Sequence, residues 1–234
     1  MKQLGAIENL KEPSKKGKKL LQSYERNTMA AEQFRMVRAN IKFVLRDQDI
    51  KTILFTSTTI GEGKSTISSN LAISFAQEGK KVLLVDADLR KPTVHHTFNT
   101  NIFPGLTNYL KNDSRLQDII KTSITDDLDI ITSGLVAGNP VELLDSLLME
   151  KFLDEVKEYY DLIILDTPPL LLISDAQLLS NKCDGTILVL SSGKTERRDL
   201  LKAQSMLKAS GANVVGVILN NLKLEKSRNG YYSD

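Results

Sequence analysis

A single cysteine, Cys183, occurs in the 234 residues, so no internal disulfide framework staples the fold. A lone thiol fits a reducing compartment, and Cys183 is expected to be a packed residue rather than a nucleophile. Net charge is also nearly absent. The 31 Lys and Arg are offset by 29 Asp and Glu, a balance that gives no electrostatic footprint for nucleic acid. No apolar run approaches the roughly 18–20 residues that a membrane-spanning helix needs, and the first residues lack a signal-peptide core. The longest apolar clusters, "LIIL" and "TILVL", have the length of buried strands. Internal repeats and low-complexity tracts are missing as well. The expectation is a soluble, cytoplasmic chain with one good hydrophobic core.

What is present is apolar patterning of two kinds. Residues 1–26 are polar and basic around "KEPSKKGKK", and are expected to form a flexible arm, either solvated or lying near anionic lipid or an acidic partner. From Met29 to about Arg46 the spacing of Phe34, Val37, Ile41, Val44 and Leu45 predicts a helix. Strand-like and helix-like segments then alternate. "KTILFTS", "KVLLVDAD", "LDIITSG", "DLIILDTPP", "GTILVLSS" and "NVVGVILNN" read as strands, and "STISSNLAISFAQEG", "AQLLSNK" and "TERRDLLKAQSMLKASG" as helices. Gly79 stands where a left-handed C-terminal stop belongs. Strands rich in Val, Ile and Leu, with little polar alternation, belong to a parallel sheet covered on both faces. Residues 27–222 therefore predict a doubly wound α/β domain, a mainly parallel sheet flanked by helices. Residues 223–234, "KLEKSRNGYYSD", carry no packing pattern and are expected to be a mobile tail holding Tyr231 and Tyr232.

The chemistry concentrates where strands end. "TSTTIGEGKST" follows the strand "KTILF" and opens a helix, the setting of a phosphate-binding loop of pattern G-x-x-x-x-G-K-[ST]. Thr58 occupies the place of the first glycine. The rest suffices: Gly61 and Gly63 let backbone N–H groups converge on phosphate at a helix N-terminus. Lys64 supplies a point charge and Ser65 a hydroxyl for Mg²⁺. Asp86 and Asp88, in "VLLVDADLRKP", and Asp166, in "LIILDTPP", close two further strands at the ends where such sheets bind ligands. Each acid alone reads as a cap or turn residue. Three beside a "GKS" loop point to a Mg²⁺–nucleotide site.

"GEGKST", "VLLVDADLRKPT" and "LIILDTPP" resemble the Walker A, A′ and B motifs of the bacterial tyrosine kinases (BY-kinases), which regulate capsular and exopolysaccharide synthesis. "EQFRMVRANI" adds Glu32, Arg35 and Arg38 in the E-x-x-R-x-x-R arrangement of their self-association helix. The resemblance runs from about Glu32 to Asn220. It implies an ATP- and Mg²⁺-dependent enzyme with Lys64, Asp86, Asp88 and Asp166 as its catalytic set. Gly61, Glu62, Gly63, Lys64, Ser65, Thr66, Arg90 and Asn220 would hold the nucleotide, Asn220 at the adenine edge. Ser65, Asp86 and Asp166 would hold Mg²⁺. Asp88, or else Asp86, would take the acceptor's proton; a free phenol has a pKa near 10 and needs a base. The acceptors would be Tyr231 and Tyr232, phosphorylated in trans within a ring assembled through Glu32, Arg35 and Arg38. The resemblance further implies a separate transmembrane activator of the polysaccharide co-polymerase type, which recruits the kinase to the inner face of the membrane, and a cognate phosphotyrosine phosphatase. Nucleic acid is not an expected partner. The chain departs from the family at Ile60, where proline is common, in "TSGLVAGNPVELL", which lacks a double proline, and in its sparse tyrosine tail.

Two other readings share the phosphate loop. A Min- or Par-type switch ATPase has this sheet, but carries a signature lysine at the second loop position, held here by Thr59. An ATP-binding scaffold of a polysaccharide-export complex would need no catalytic acids. Glu32 and Arg35 also make an ordinary i, i+3 helix pair.

Overall fold

The most apolar segments of the chain take the middle of one eight-stranded sheet. In chain order the strands are β1 (Gln3–Glu8), β2 (Thr52–Ser57), β3 (Val82–Asp86), β4 (Ile120–Thr122), β5 (Leu128–Ile131), β6 (Leu162–Asp166), β7 (Gly185–Ser191) and β8 (Val214–Leu222). Across the sheet the order is β1-β8-β7-β2-β6-β3-β5-β4. Every pairing is parallel except that of the short edge strand β4 with β5. Strands β2, β3, β6 and β7 are buried at every position, as strands covered on both faces must be. The computed structural model describes residues 1–8, 20, 28–46, 48–136 and 138–223.

The helices are α1 (Met29–Leu45), α2 (Lys64–Ala76), α3 (Val94–Phe98), α4 (Leu106–Leu110), α5 (Leu116–Ile119), α6 (Pro140–Leu144), α7 (Leu147–Lys157), α8 (Asp175–Lys182) and α9 (Arg197–Ala209). Side chains of the central strands alternate between two cores. On one face Ile53, Phe55, Leu84, Ile164 and Val189 pack with Phe34, Val37 and Ile41 of α1 and Ile67 and Leu71 of α2. On the other, Leu54, Leu83, Val85 and Ile163 meet Leu106, Phe152 and Leu179 from α4, α7 and α8. Helix α9 covers Leu188 and Leu190 with Ala203 and Leu207. Helix α1 begins where Thr28 Oγ1 accepts from Ala31 N, a side-chain cap. After α2 the chain turns at Gly79, with φ +83°.

Residues 3–8 overturn part of the expected N-terminal arm: they form β1, parallel to β8. Leu4 and Ile7 are fully buried. Gly5 makes the close approach possible, since a Cβ there would stand 2.6 Å from Val37 Cγ2. Helix α1 then pins the strand, Asn40 Nδ2 donating to Leu4 O at 2.8 Å and Glu8 N to Gln33 Oε1 at 2.9 Å. The remainder of that arm, apart from buried Leu20, lies outside the described residues. So does the tail from 224, with Tyr231 and Tyr232.

This topology sets the site. β2 lies between β7 and β6, and β3 follows β6, so the loops after β2, β3 and β6 open side by side at the C-terminal edge of the sheet. That crevice is where open α/β sheets bind ligands.

Candidate active site

The loop from Thr58 to Gly63 joins β2 to α2. Gly61 and Gly63 hold φ of +77° and +89°, values that glycine adopts without strain. Gly63 is required a second time, because a Cβ there would lie 2.0 Å from Asn220 Nδ2. Thr58, in place of the usual glycine, braces the loop from within. Its hydroxyl meets both carboxylate oxygens of Glu62, at 2.8 and 2.9 Å, and Thr59 N donates to the same carboxylate at 2.9 Å. Thr195 Oγ1, from the turn after β7, donates to Glu62 as well. Glu62 is only 1% exposed. It was expected among the nucleotide residues, but its side chain is consumed within the loop, and only its backbone is left for a ligand.

Three acids converge on Lys64, as the motif spacing predicts. Lys64 Nζ donates to Asp166 Oδ1 at 3.1 Å and to Ser65 Oγ at 2.9 Å, and lies 4.0 Å from Asp88 Oδ2. Asp86 and Asp166 are paired in register on β3 and β6, which places two fully buried carboxylates on neighbouring strands. Burial, reinforced by the Asp166 charge, raises Asp86 to about 7. Its oxygens accept from Asp88 N at 3.2 Å and, at the start of α3, from Thr93 N and Val94 N at 3.0 and 2.9 Å. Asp88 Oδ1 accepts from Lys91 N at 2.9 Å, while Oδ2 faces Lys64. Ser68 Oγ donates to Asp166 Oδ1 at 3.2 Å. Asp166 Oδ2 is buried without a hydrogen-bond partner, the kind of atom that a bound cation or its water satisfies. Among the described residues no three His, Cys, Asp or Glu side chains form a cage for a metal ion; Mg²⁺ is commonly held by one or two carboxylates plus phosphates. The donors here fit that pattern.

The remaining predicted residues are sorted by their partners. Thr66 follows in α2, its carbonyl accepting from Asn70 Nδ2 at 2.8 Å. Arg90 grips buried Asp175 at the start of α8 with Nε at 2.9 Å and Nη2 at 3.1 Å, a bidentate pair that ties the β3 loop to the β6 loop. Asn220, near the end of β8, donates from Nδ2 to Glu62 O at 2.9 Å, which ties β8 to the phosphate loop. On α1, Glu32 and Arg35 pair with each other at 2.5 Å and are exposed. Arg38 turns inward instead, its guanidinium meeting Ser74 O and Ser74 Oγ and lying 3.6 Å from Glu78. Sequence reasoning missed Asp175, Ser68 and the Thr195 brace. For the last, "SSGKT" just after a predicted strand was the available signal. Cys183 is buried, and burial, with Asp184 adjoining, pushes its thiol up to about 12.

A family model described as an AAA domain matches residues 50–214. Tyrosine-protein kinase YwqD of Bacillus subtilis (strain 168) is 46% identical over 209 residues, covering 89% of this chain and 88% of that one. The chain belongs to the bacterial tyrosine kinases, built on an AAA domain. Putative tyrosine-protein kinase CapB of Staphylococcus aureus is 35% identical over 86% of this chain and 89% of its own. Among solved structures, this kinase superposes on the chimerical protein CapA2B2 with a TM-score of 0.87 and 36% identity over 94% of both chains. The kinase domain of the Escherichia coli tyrosine kinase ETK gives 0.88 at 29% identity, over 100% of this chain and 94% of that one. The septum site-determining protein MinD of Pyrococcus horikoshii, solved with Mg-ADP, gives 0.65 at 26% identity over 75% and 72%. The P-loop nucleotide-binding fold is common to all three.

Proposed function

We propose that this kinase uses ATP and Mg²⁺ to phosphorylate the tyrosines of its own tail, Tyr231 and Tyr232, in trans, and so regulates capsular or exopolysaccharide synthesis. The observation that carries the reading is the convergence of Lys64, Asp88 and Asp166 at the phosphate loop. Lys64 meets the terminal phosphates, and Gly61, Gly63, Ser65 and Thr66 present backbone N–H groups to them. Ser65 Oγ and Asp166 Oδ2 are the atoms best placed to hold Mg²⁺, which when bound neutralises phosphate charge. Asp86, with three N–H groups already on its oxygens, acts as a charge behind them. Asp88 is the better base of the two: Oδ2 takes no backbone N–H and the residue keeps 7% exposure, whereas Asp86 is fully enclosed. It holds the phenol and receives its proton.

Exposed Glu32 and Arg35 support docking of one subunit against the next. A head-to-tail contact that closes makes a ring, in which one tail enters the neighbouring site. Each phosphate adds about −1.5 to −2 charges beside the acidic catalytic loops, which favours release of the tail and disassembly of the ring. A separate transmembrane activator recruits the kinase to the inner face of the membrane and completes the site, and a phosphotyrosine phosphatase resets it. No helix among the described residues is long and apolar enough to cross a membrane. Thr59, in the place of a signature lysine, weighs against the switch ATPase.

The trans step is tested by mixing a Lys64→Ala chain, tail intact, with a Tyr231→Phe/Tyr232→Phe chain, active site intact, in Mg-ATP with an activator fragment. Phosphotyrosine on the Lys64→Ala chain is expected. If wild-type chains label themselves while the mixture stays unlabelled, transfer is in cis.

A further inference from the structure

A second ammonium reaches the phosphate loop from outside its motif. Lys194, in the turn between β7 and α9, donates from Nζ to Ile60 O at 2.5 Å. A Cβ built on Gly61 would stand 3.0 Å from the same nitrogen. The turn that carries Lys194 is itself tightly bonded. Ser191 N donates to Thr195 Oγ1 at 2.8 Å, and Ser191 O accepts from Lys194 N and Thr195 N at 3.1 and 3.0 Å. Thr195 Oγ1 goes on to Glu62, and Ser192 N donates to Asn220 O at 2.8 Å. The backbone of Lys194 is thus tied to both the phosphate loop and β8. Among the described residues the Ile60 carbonyl is the one partner of its ammonium. Lys64, by contrast, is committed to Asp166 and Ser65.

In a trans peptide the carbonyl and the following N–H point in opposite directions. A charge-assisted bond that holds Ile60 O toward the exposed Lys194 therefore turns the Gly61 N–H toward the other side of the loop. Phosphate loops hold their ligand by such N–H groups. Ile60 also leaves φ free where a proline would fix it, so the loop has the more to gain from an external tether. We infer that Lys194 is a positioning residue of the phosphate site: it clamps the Ile60–Gly61 peptide so that the Gly61 N–H faces the phosphates. The inference rests on the nucleotide-binding reading given above.

Lys194→Met removes the cation and keeps the length of the side chain. Two measurements are made on the whole chain. In the nucleotide-free protein, NMR should show the Ile60 carbonyl ¹³C and Gly61 amide ¹⁵N resonances displaced in the variant, with the rest of β2 and α2 unmoved. In calorimetric titration, ADP should bind about tenfold more weakly to the variant. Unmoved Ile60 and Gly61 resonances would overturn the inference, whether or not affinity falls, because a loss without them means direct contact with phosphate. Displaced resonances with affinity unchanged within about twofold would overturn it too. Failure of the wild type to bind ADP would instead count against the nucleotide reading, and the nucleotide-free spectra would still report on the clamp.

Discussion

The phosphate loop and the outer face of α1 carry similar charged residues in opposite surroundings. At the loop, Lys64, Asp166 and Glu62 are buried, and each is held by several partners. On α1, Glu32 and Arg35 pair with each other in a setting 39–50% open to solvent. Removing one member of a buried pair strands the other charge, at several kcal/mol. An exposed pair contributes about 0–1 kcal/mol. The loop therefore holds its charges in fixed places, whereas the Glu32–Arg35 pair contributes little to the monomer, and its proposed role lies between monomers. Arg38 shows how narrow the division is. It is three residues from Arg35, yet it faces inward to the end of α2, where a cation meets the terminal carbonyls favourably.

The largest effect that would sharpen this contrast is at Lys64. Lys64→Ala should lower phosphotransfer by roughly 10²–10³-fold, read as phosphotyrosine formed per minute; a loss under tenfold would place the reaction's main electrostatic support elsewhere. The next effect is one of stability. Asp86 is raised from 3.8 to about 7, so between those values the folded chain binds more protons than the unfolded one. Stability is therefore greatest below about pH 4 as far as this group is concerned, and is lost as pH rises toward 7. Without nucleotide and with divalent cations chelated, the melting temperature of the wild type should fall relative to Asp86→Asn by on the order of 5 °C across that window. Parallel melting curves would show that burial does not raise Asp86 in the folded chain.

Smaller effects separate the two arginines. Arg38→Ala should cost about 1–2 kcal/mol in urea unfolding, since it uncaps α2 and leaves Glu78 to Lys42 alone. Arg35→Ala should cost under about 0.5 kcal/mol, while shifting the assembled protein toward monomer by light scattering. A ring that survives Arg35→Ala combined with Glu32→Ala would remove α1 from the interface.

The contrast also explains what could be read from the chain. Strands β2, β3, β6 and β7 were legible because burial on both faces requires unbroken runs of Val, Ile and Leu. Lys64, Ser65, Asp86, Asp88 and Asp166 were legible because fixed offsets from strand ends bring them together. β1 was not, since six residues, "QLGAIE", have too little pattern, and their docking depends on Gly5 clearing Val37. Thr58 read as a missing glycine, and only its distance to Glu62 reveals a brace. Arg90 and Asp175 lie 85 residues apart, and Lys194 and Ile60 lie 134 apart. No local period links such pairs. The inward turn of Arg38 had the same origin: an E-x-x-R-x-x-R spacing puts three residues near one face, but the α2 terminus decides which of them stays there.

The central claim is that the phosphate loop hands its phosphoryl group to tyrosine rather than to water. Its most direct test is mass spectrometry of the wild-type chain after incubation with Mg-ATP and an activator fragment, with free phosphate measured in the same tube. The account predicts phosphotyrosine at Tyr231 and Tyr232, lost in Tyr231→Phe/Tyr232→Phe, and little free phosphate. Steady release of phosphate with no phosphotyrosine would contradict it.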